Sequence, residues 1–174
     1  MQGNVGLRPL DPDALLLLRD VAVADADPAE VVPPLPSDDG GAAGPPGWTA
    51  ERRQWFVDFF TPMLDAPDIT IYAITVDGAM AGFMRLKRLD QHTGETGIWL
   101  GRSWRGRGLA TAALGELLRE AARRGLSRVV ADTLPTNAAA QGLLRAHGAR
   151  LRQEAGKIYA EMTIDPGYAA DLDK

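Results

Sequence analysis

The residues whose types and spacing most readily do chemistry lie in mid-chain, at Arg105-Gly-Arg-Gly-Leu-Ala110, preceded by Gly97-Ile-Trp-Leu-Gly-Arg-Ser-Trp104. This stretch runs from a predicted strand through a glycine-rich turn straight into a predicted helix start. Backbone N–H groups at a helix start have no intrahelical acceptor, and the helix dipole favours an anion there. Gly106 and Gly108 let the backbone come close to a phosphate, since no Cβ intervenes. Arg102, Arg105 and Arg107 add positive charge, and the hydroxyls of Ser103 and Thr111 add hydrogen-bonding capacity. The chemistry indicated is the cradling of a phosphate or pyrophosphate. The residues alone also allow a plainer role, a turn that lets strand and helix pack.

The rest of the composition removes several alternatives. The chain has no cysteine, which excludes disulfides, thiolate metal sites and a cysteine nucleophile. His92 and His147 are its only histidines, too few for a histidine-rich zinc centre, and no metal is expected. A net charge of −4 and a pI near 5.2 argue against a protein that wraps nucleic acid or coats an anionic membrane. Met1-Gln2-Gly3-Asn4 lacks the basic-then-apolar order of a signal peptide, and Ala14–Leu18 is too short to span a bilayer, so a cytoplasmic location is expected. At 174 residues, 45% apolar and 24% charged, one domain over 1–174 is expected.

A nucleotide-triphosphate loop needs Gly-Lys-Ser/Thr, which is absent. A dinucleotide fingerprint needs glycine or alanine three residues after Gly108, where Thr111 stands, and normally opens the first βαβ unit of a chain. The pattern Arg/Gln-x-x-Gly-x-Gly/Ala does fit, at Arg105, Gly108 and Ala110. Together with Glu95-Thr-Gly-Ile-Trp-Leu-Gly-Arg-Ser-Trp-Arg-Gly-Arg-Gly-Leu-Ala-Thr111, and with Asn137 followed eleven residues later by Gly148, it resembles the GCN5-related N-acetyltransferase (GNAT) family, nearest its RimJ/RimL-like branch.

That resemblance implies a mixed central sheet flanked by helices on both faces. It implies acetyl-CoA as cofactor and a primary amine as acceptor, either a protein N-terminus or a small amine, attacked directly in a ternary complex. Carried over residue by residue, it implies that Leu100, Arg102, Arg105, Gly106, Arg107, Gly108, Leu109, Ala110, Thr111 and Asn137 contact the cofactor. Asn137 either bonds the pantetheine arm or caps its helix. The family's oxyanion donor, a backbone N–H at the splayed end of the strand before the loop, falls at Leu100. The family's glutamate on that strand falls at Glu95, a candidate base, with Glu154 and Glu161 as weaker alternatives. Many relatives carry a tyrosine acid seven residues after the asparagine; here that position is Leu144, leaving Tyr159 or solvent to protonate the leaving thiolate. Use of a larger acyl-CoA, or acyl-CoA sensing without catalysis, stays open, as does a monomeric or homodimeric state.

The positioning elements are read from periodicity. Val5–Arg8 is a short strand, and Asp11-Pro12-Asp13 starts a helix whose stripe is Leu15, Leu18, Val21 and Ala22. Residues 27–47 are rich in proline and glycine and read as a long loop, either a lid or disordered, with Asp38 and Asp39 either drawing a cation or solvated. Trp48–Phe60 is helical, with Trp55, Phe56, Phe59 and Phe60 either in the core or lining an acceptor pocket. Ile69–Val76 and Ala79–Arg88 flank an Asp77-Gly78 hairpin turn, and Gly97–Leu100 is the next strand. Helices at Gly108–Arg124 and Asn137–His147 enclose a strand at Arg128–Leu134, with His147 a packing residue at a helix end. Two terminal strands follow, Leu151–Glu154 and Lys157–Ile164. The order is an α+β plan with a mixed sheet and not a doubly wound one.

Overall fold

Asp11 begins the first helix: its carboxylate accepts from Ala14 N at 2.7 Å, and Pro12 supplies a pre-set φ just inside the start. The computed structural model describes residues 3–37 and 44–168. The elements run β1 (Val5–Pro9), α1 (Pro12–Asp25), α2 (Pro28–Val31), α3 (Ala50–Leu64), β2 (Ile69–Val76), β3 (Ala79–Arg88) and β4 (Thr93–Leu100). A 3-10 turn (Arg102–Trp104) then leads to α4 (Leu109–Arg123), β5 (Arg128–Thr133), α5 (Ala138–Ala146), β6 (Arg150–Glu154) and β7 (Lys157–Thr163).

Seven strands form one sheet in the order β1-β2-β3-β4-β5-β7-β6. Every neighbouring pair is antiparallel except β4 and β5, which are parallel. Their pairing is short: Thr93 to Arg128, Gly94 to Val129 and Glu95 to Val130. Beyond Glu95 the two strands part, and the rest of each borders a V-shaped opening in mid-sheet.

The strand period of two sends alternate residues to opposite faces. On one face Ile71, Ala73, Phe83 and Trp99 pack with Leu15 and Leu18 of α1 and Phe56 and Phe60 of α3. The aromatic side chains there touch in series, Phe56 to Phe60 at 4.8 Å, Phe60 to Phe83 at 5.0 Å and Phe83 to Trp99 at 6.0 Å between centroids. On the other face Ile74, Met84, Leu86, Leu100, Val129 and Met162 pack under Leu114, Leu117 and Leu118 of α4 and Leu144 of α5. Phe56 and Phe60 are therefore core residues, while Trp55 and Phe59 are only partly buried against them.

Three departures from the sequence reading exceed shifts of one or two residues at element ends. β4 starts at Thr93 and not Gly97: Thr93–Thr96 lacks an apolar pattern, but it contains Gly94 and Glu95, which are paired on both sides, with β3 and β5. α3 continues past Phe60 through Pro62 to Leu64, because a proline one turn from the end forfeits a single helical hydrogen bond. The segment 27–47 is not wholly irregular. Asp27-Pro28-Ala29-Glu30 forms the first turn of α2, with Glu30 N bonding Asp27 O at 3.0 Å. Asp38 and Asp39 lie outside the described residues.

Candidate acyl-CoA and acceptor sites

At the end of β4 the chain makes its 3-10 turn and then passes Gly106 and Gly108 with φ of 71° and 73°. The left-handed backbone that these two glycines adopt turns successive N–H groups into one concavity, and Gly108 is the N-cap of α4 with no side chain closing it. A Cβ built on Gly106 would meet nothing within 4 Å, so open space lies over the loop. A cavity of about 880 Å³ opens from it. One wall is Leu100, Arg105, Gly106 and Gly108, continuing through Leu109, Ala110 and Thr111. The facing wall comes from α5 and the end of β5, with Leu134, Asn137, Ala140 and Leu143.

Asn137 caps α5, its Oδ1 accepting from Ala140 N at 3.0 Å, and also lines the cavity. Both sequence readings of this residue are thus compatible, because the cap uses Oδ1 and leaves the amide nitrogen as a donor. The two walls are joined by His147, whose Nε2 lies 2.8 Å from Thr111 O. The half-buried ring therefore does more than pack at a helix end.

The three arginines differ. Arg105 lies on the cavity wall; its Nε donates to Leu100 O at 2.9 Å and its Nη2 to Glu30 Oε2 at 2.8 Å. Arg102 donates to Asp27 Oδ2 at 2.6 Å and also to Glu30. Arg107 stacks over Trp104 at 5.2 Å. Neither Arg102 nor Arg107 is among the residues that line the cavity. Ser103 donates from both N and Oγ to Asp25, the Oγ bond being 2.6 Å. Asp25, Asp27 and Glu30 thus strap the end of α1 and α2 onto the loop. Burial pushes the Glu30 carboxyl up, but hydrogen bonds from Arg105 and Arg102 outweigh it and hold it below the usual glutamate range. Glu30 lines the cavity and was not found from the sequence; its one signal is an acid three residues after an Asp-Pro helix start.

Glu95 stands where the V begins, on the face of α1 and α3. Its Oε1 accepts from Arg85 Nη2 at 2.6 Å, a one-point ion pair between half-buried side chains. With Tyr159, Asp132 and Glu161 it lines a second cavity of about 350 Å³ beside β5 and β7. Tyr159 lies under the Arg152 guanidinium, 5.0 Å from its ring centroid. Glu161 is paired with Arg150 at 2.7 Å, and Glu154 with Arg152. The structure therefore brings Glu95 and Tyr159 together, apart from the Leu100 group. Five residue steps along the strand, about 17 Å of backbone, separate Glu95 from Leu100. Leu144 is buried in the α4–α5 core. Trp99 and Thr96, on the splayed part of β4, carry a buried indole N–H and a buried hydroxyl without a partner.

The family model for acetyltransferases (GNAT) matches residues 36–149. The chain belongs to the GNAT family. Family members move an acetyl group from acetyl-CoA to an amine. The fold is similar to RimL, a ribosomal L7/L12 alpha-N-protein acetyltransferase solved with coenzyme A, at TM-score 0.70 and 20% identity over 93% of this chain and 95% of that one. It is also similar to Mycobacterium smegmatis RimJ (TM-score 0.70, 20% identity, 99% and 85% covered). The Campylobacter jejuni N-acetyltransferase PseH, solved with acetyl coenzyme A, follows at TM-score 0.66 and 10% identity, with 93% and 100% covered. No curated protein sequence matches the chain. As expected from the sequence, this GNAT chain has a mixed sheet with helices on both faces. Among the described residues, no cluster suits a metal ion and no helix is long and apolar enough to cross a membrane.

Proposed function

We propose that the protein transfers the acetyl group of acetyl-CoA to a primary amine, and that the amine is a protein N-terminus or a small molecule presenting an equivalent group. The observation that carries this reading is the glycine cradle at Gly106–Gly108, opening into a cavity whose far wall is the Asn137 helix. Acetyl-CoA supplies a thioester carbonyl already activated toward a nucleophile. The N–H groups from Gly106 to Thr111 bind its pyrophosphate, and Asn137 bonds the pantetheine arm. The Leu100 N–H donates a hydrogen bond to the carbonyl oxygen and so stabilises the negative charge that develops there. Arg105 fixes that segment through Leu100 O and so acts by positioning.

An amine arrives protonated, with pKa near ~10, and must lose a proton to attack. Glu95 takes it through water, given its distance from Leu100 along β4. The acceptor enters over the Glu95–Tyr159 cavity, on the sheet face opposite the Asn137 helix. The thiolate leaves to solvent or takes a proton relayed from Tyr159, since Leu144 offers none. The RimL neighbour's action on a ribosomal protein α-amine supports a peptide acceptor. We also propose a cytoplasmic, monomeric or homodimeric protein, on composition and resemblance alone.

Thermal unfolding with acetyl-CoA and with free CoA tests the cofactor: stabilisation by neither would sink the proposal. Thiol release from acetyl-CoA across peptides with free N-termini and simple alkylamines then identifies the acceptor class. Leu144 favours one second reading, an acyl-CoA sensor; stabilisation by acetyl-CoA without thiol release on any amine would select it.

A further inference from the structure

Gly82 lies on β3, outside both cavities, opposite Leu100 in the β3–β4 register. A Cβ built on it would stand 2.0 Å from Trp99 O and 2.9 Å from Leu100 Cα. Both are backbone atoms, so no side-chain rotation relieves the overlap, and either strand must shift. Glycine within a strand often marks such a close backbone approach.

The consequence falls on the peptide joining Trp99 and Leu100. A trans peptide sends its C=O and N–H in opposite directions. With Trp99 O against β3, the Leu100 N–H points to the other side of β4, where β5 has parted from it after the Glu95–Val130 pair. The segment is also tied beyond that peptide: Arg105 Nε donates to Leu100 O at 2.9 Å, and Gly101 N donates to Ala81 O at 3.0 Å. We propose that Gly82 is a positioning residue for acyl transfer. It lets β4 lean onto β3, and so aims the Leu100 N–H into the V, where it bonds the thioester carbonyl oxygen. A methyl at position 82 pushes the 99–100 peptide toward β5 and turns the donor off its target.

This inference rests on the acetyltransferase reading, and its test separates the two. The infrared carbonyl stretch of bound [1-13C]acetyl-CoA reports polarisation of the thioester without any acceptor amine. The wild-type chain should bind acetyl-CoA and lower that frequency relative to free acetyl-CoA. Gly82→Ala should bind free CoA within about threefold of wild type, lose the frequency shift, and slow thiol release about 100-fold in kcat, as expected for a donor displaced by about 1 Å or removed. Gly94→Ala, whose methyl would crowd only the Leu86 and Leu126 side chains at 2.9 and 2.8 Å, should lower the melting temperature and leave the carbonyl frequency unchanged. Should Gly82→Ala not fold, an ester in place of the 99–100 amide, made by incorporating the α-hydroxy analogue of leucine at 100, removes the N–H alone and should abolish the shift. A wild-type frequency retained in Gly82→Ala, or in the ester variant, overturns the proposal, as does a wild-type chain that binds acetyl-CoA without lowering it. Failure of the wild-type chain to bind acetyl-CoA would instead sink the functional reading.

Discussion

Two carboxylates at the residue scale do different work because of what faces them. Glu95 has one oxygen on Arg85, 2.6 Å from Nη2, and stands at the base of the V beside a cavity of about 350 Å³. Glu95→Gln keeps the shape and removes the proton acceptor of the proposed reaction. It should slow thiol release about 100-fold while leaving the acetyl-CoA-induced thermal shift unchanged, which steady-state rates and melting curves together would check. Glu30 is held by Arg102 and Arg105, and a carboxylate so held is a poor base and a good anchor. Because its folded pKa is depressed, its contribution to stability is present above the ordinary glutamate range and is lost as pH falls through the folded pKa. The difference in melting temperature between wild type and Glu30→Gln should therefore favour wild type at pH 7 and shrink on acidification. A difference that grew on acidification would contradict the strap.

Elements carry the cradle and the core. Gly108 begins α4 with φ of 73°, a conformation costly for any β-branched residue. Gly108→Val should destabilise the chain by about 1–3 kcal/mol and abolish stabilisation by both CoA and acetyl-CoA in thermal shift. On the opposite face of the sheet, Phe56 of α3 is fully buried in the aromatic series that reaches Trp99. Phe56→Ala should cost about 3–5 kcal/mol by denaturant unfolding, from lost transfer energy plus the cavity left behind. Its effect on the free CoA affinity should be small, since α4 and α5 lie across the sheet. The strand and helix patterns behind these elements were legible in sequence: Ile69–Val76 and Ala79–Arg88 occupy the expected residues. Thr93–Thr96 was not, because that part of β4 is specified by its partners and not by an apolar alternation. α2 was hidden for a different reason, since prolines mark loops on average yet favour the first turn of a helix.

For the whole molecule, the decisive feature is where β4 and β5 part. The cavity of about 880 Å³ proposed for the cofactor lies between helices that start on either side of that opening, and its walls are bridged by His147 to Thr111 O at 2.8 Å. His147→Ala should loosen the bridge by about 1 kcal/mol, read as a roughly fivefold weaker affinity for free CoA in calorimetry, with little change in kcat at saturating acetyl-CoA. The two cavities open mainly on opposite faces of the sheet, and in the proposed reaction donor and acceptor reach the opening from different sides. That division explains why Glu95 and Leu100, close in sequence, belong to different cavities.

By itself the sequence determined the glycine turn into α4, the family and most elements, because glycine placement, helix caps and apolar period are local properties read within a few residues. It also determined that Leu144 cannot donate a proton. Only the tertiary structure decided that Glu30 and Arg105 are partners 75 residues apart, that Arg85 holds Glu95, and that Gly82 sits against the Leu100 peptide. Those contacts join separate elements across the sheet and the strap. Their geometry depends on strand register and on the parting of β4 from β5, which no residue pattern within one element encodes.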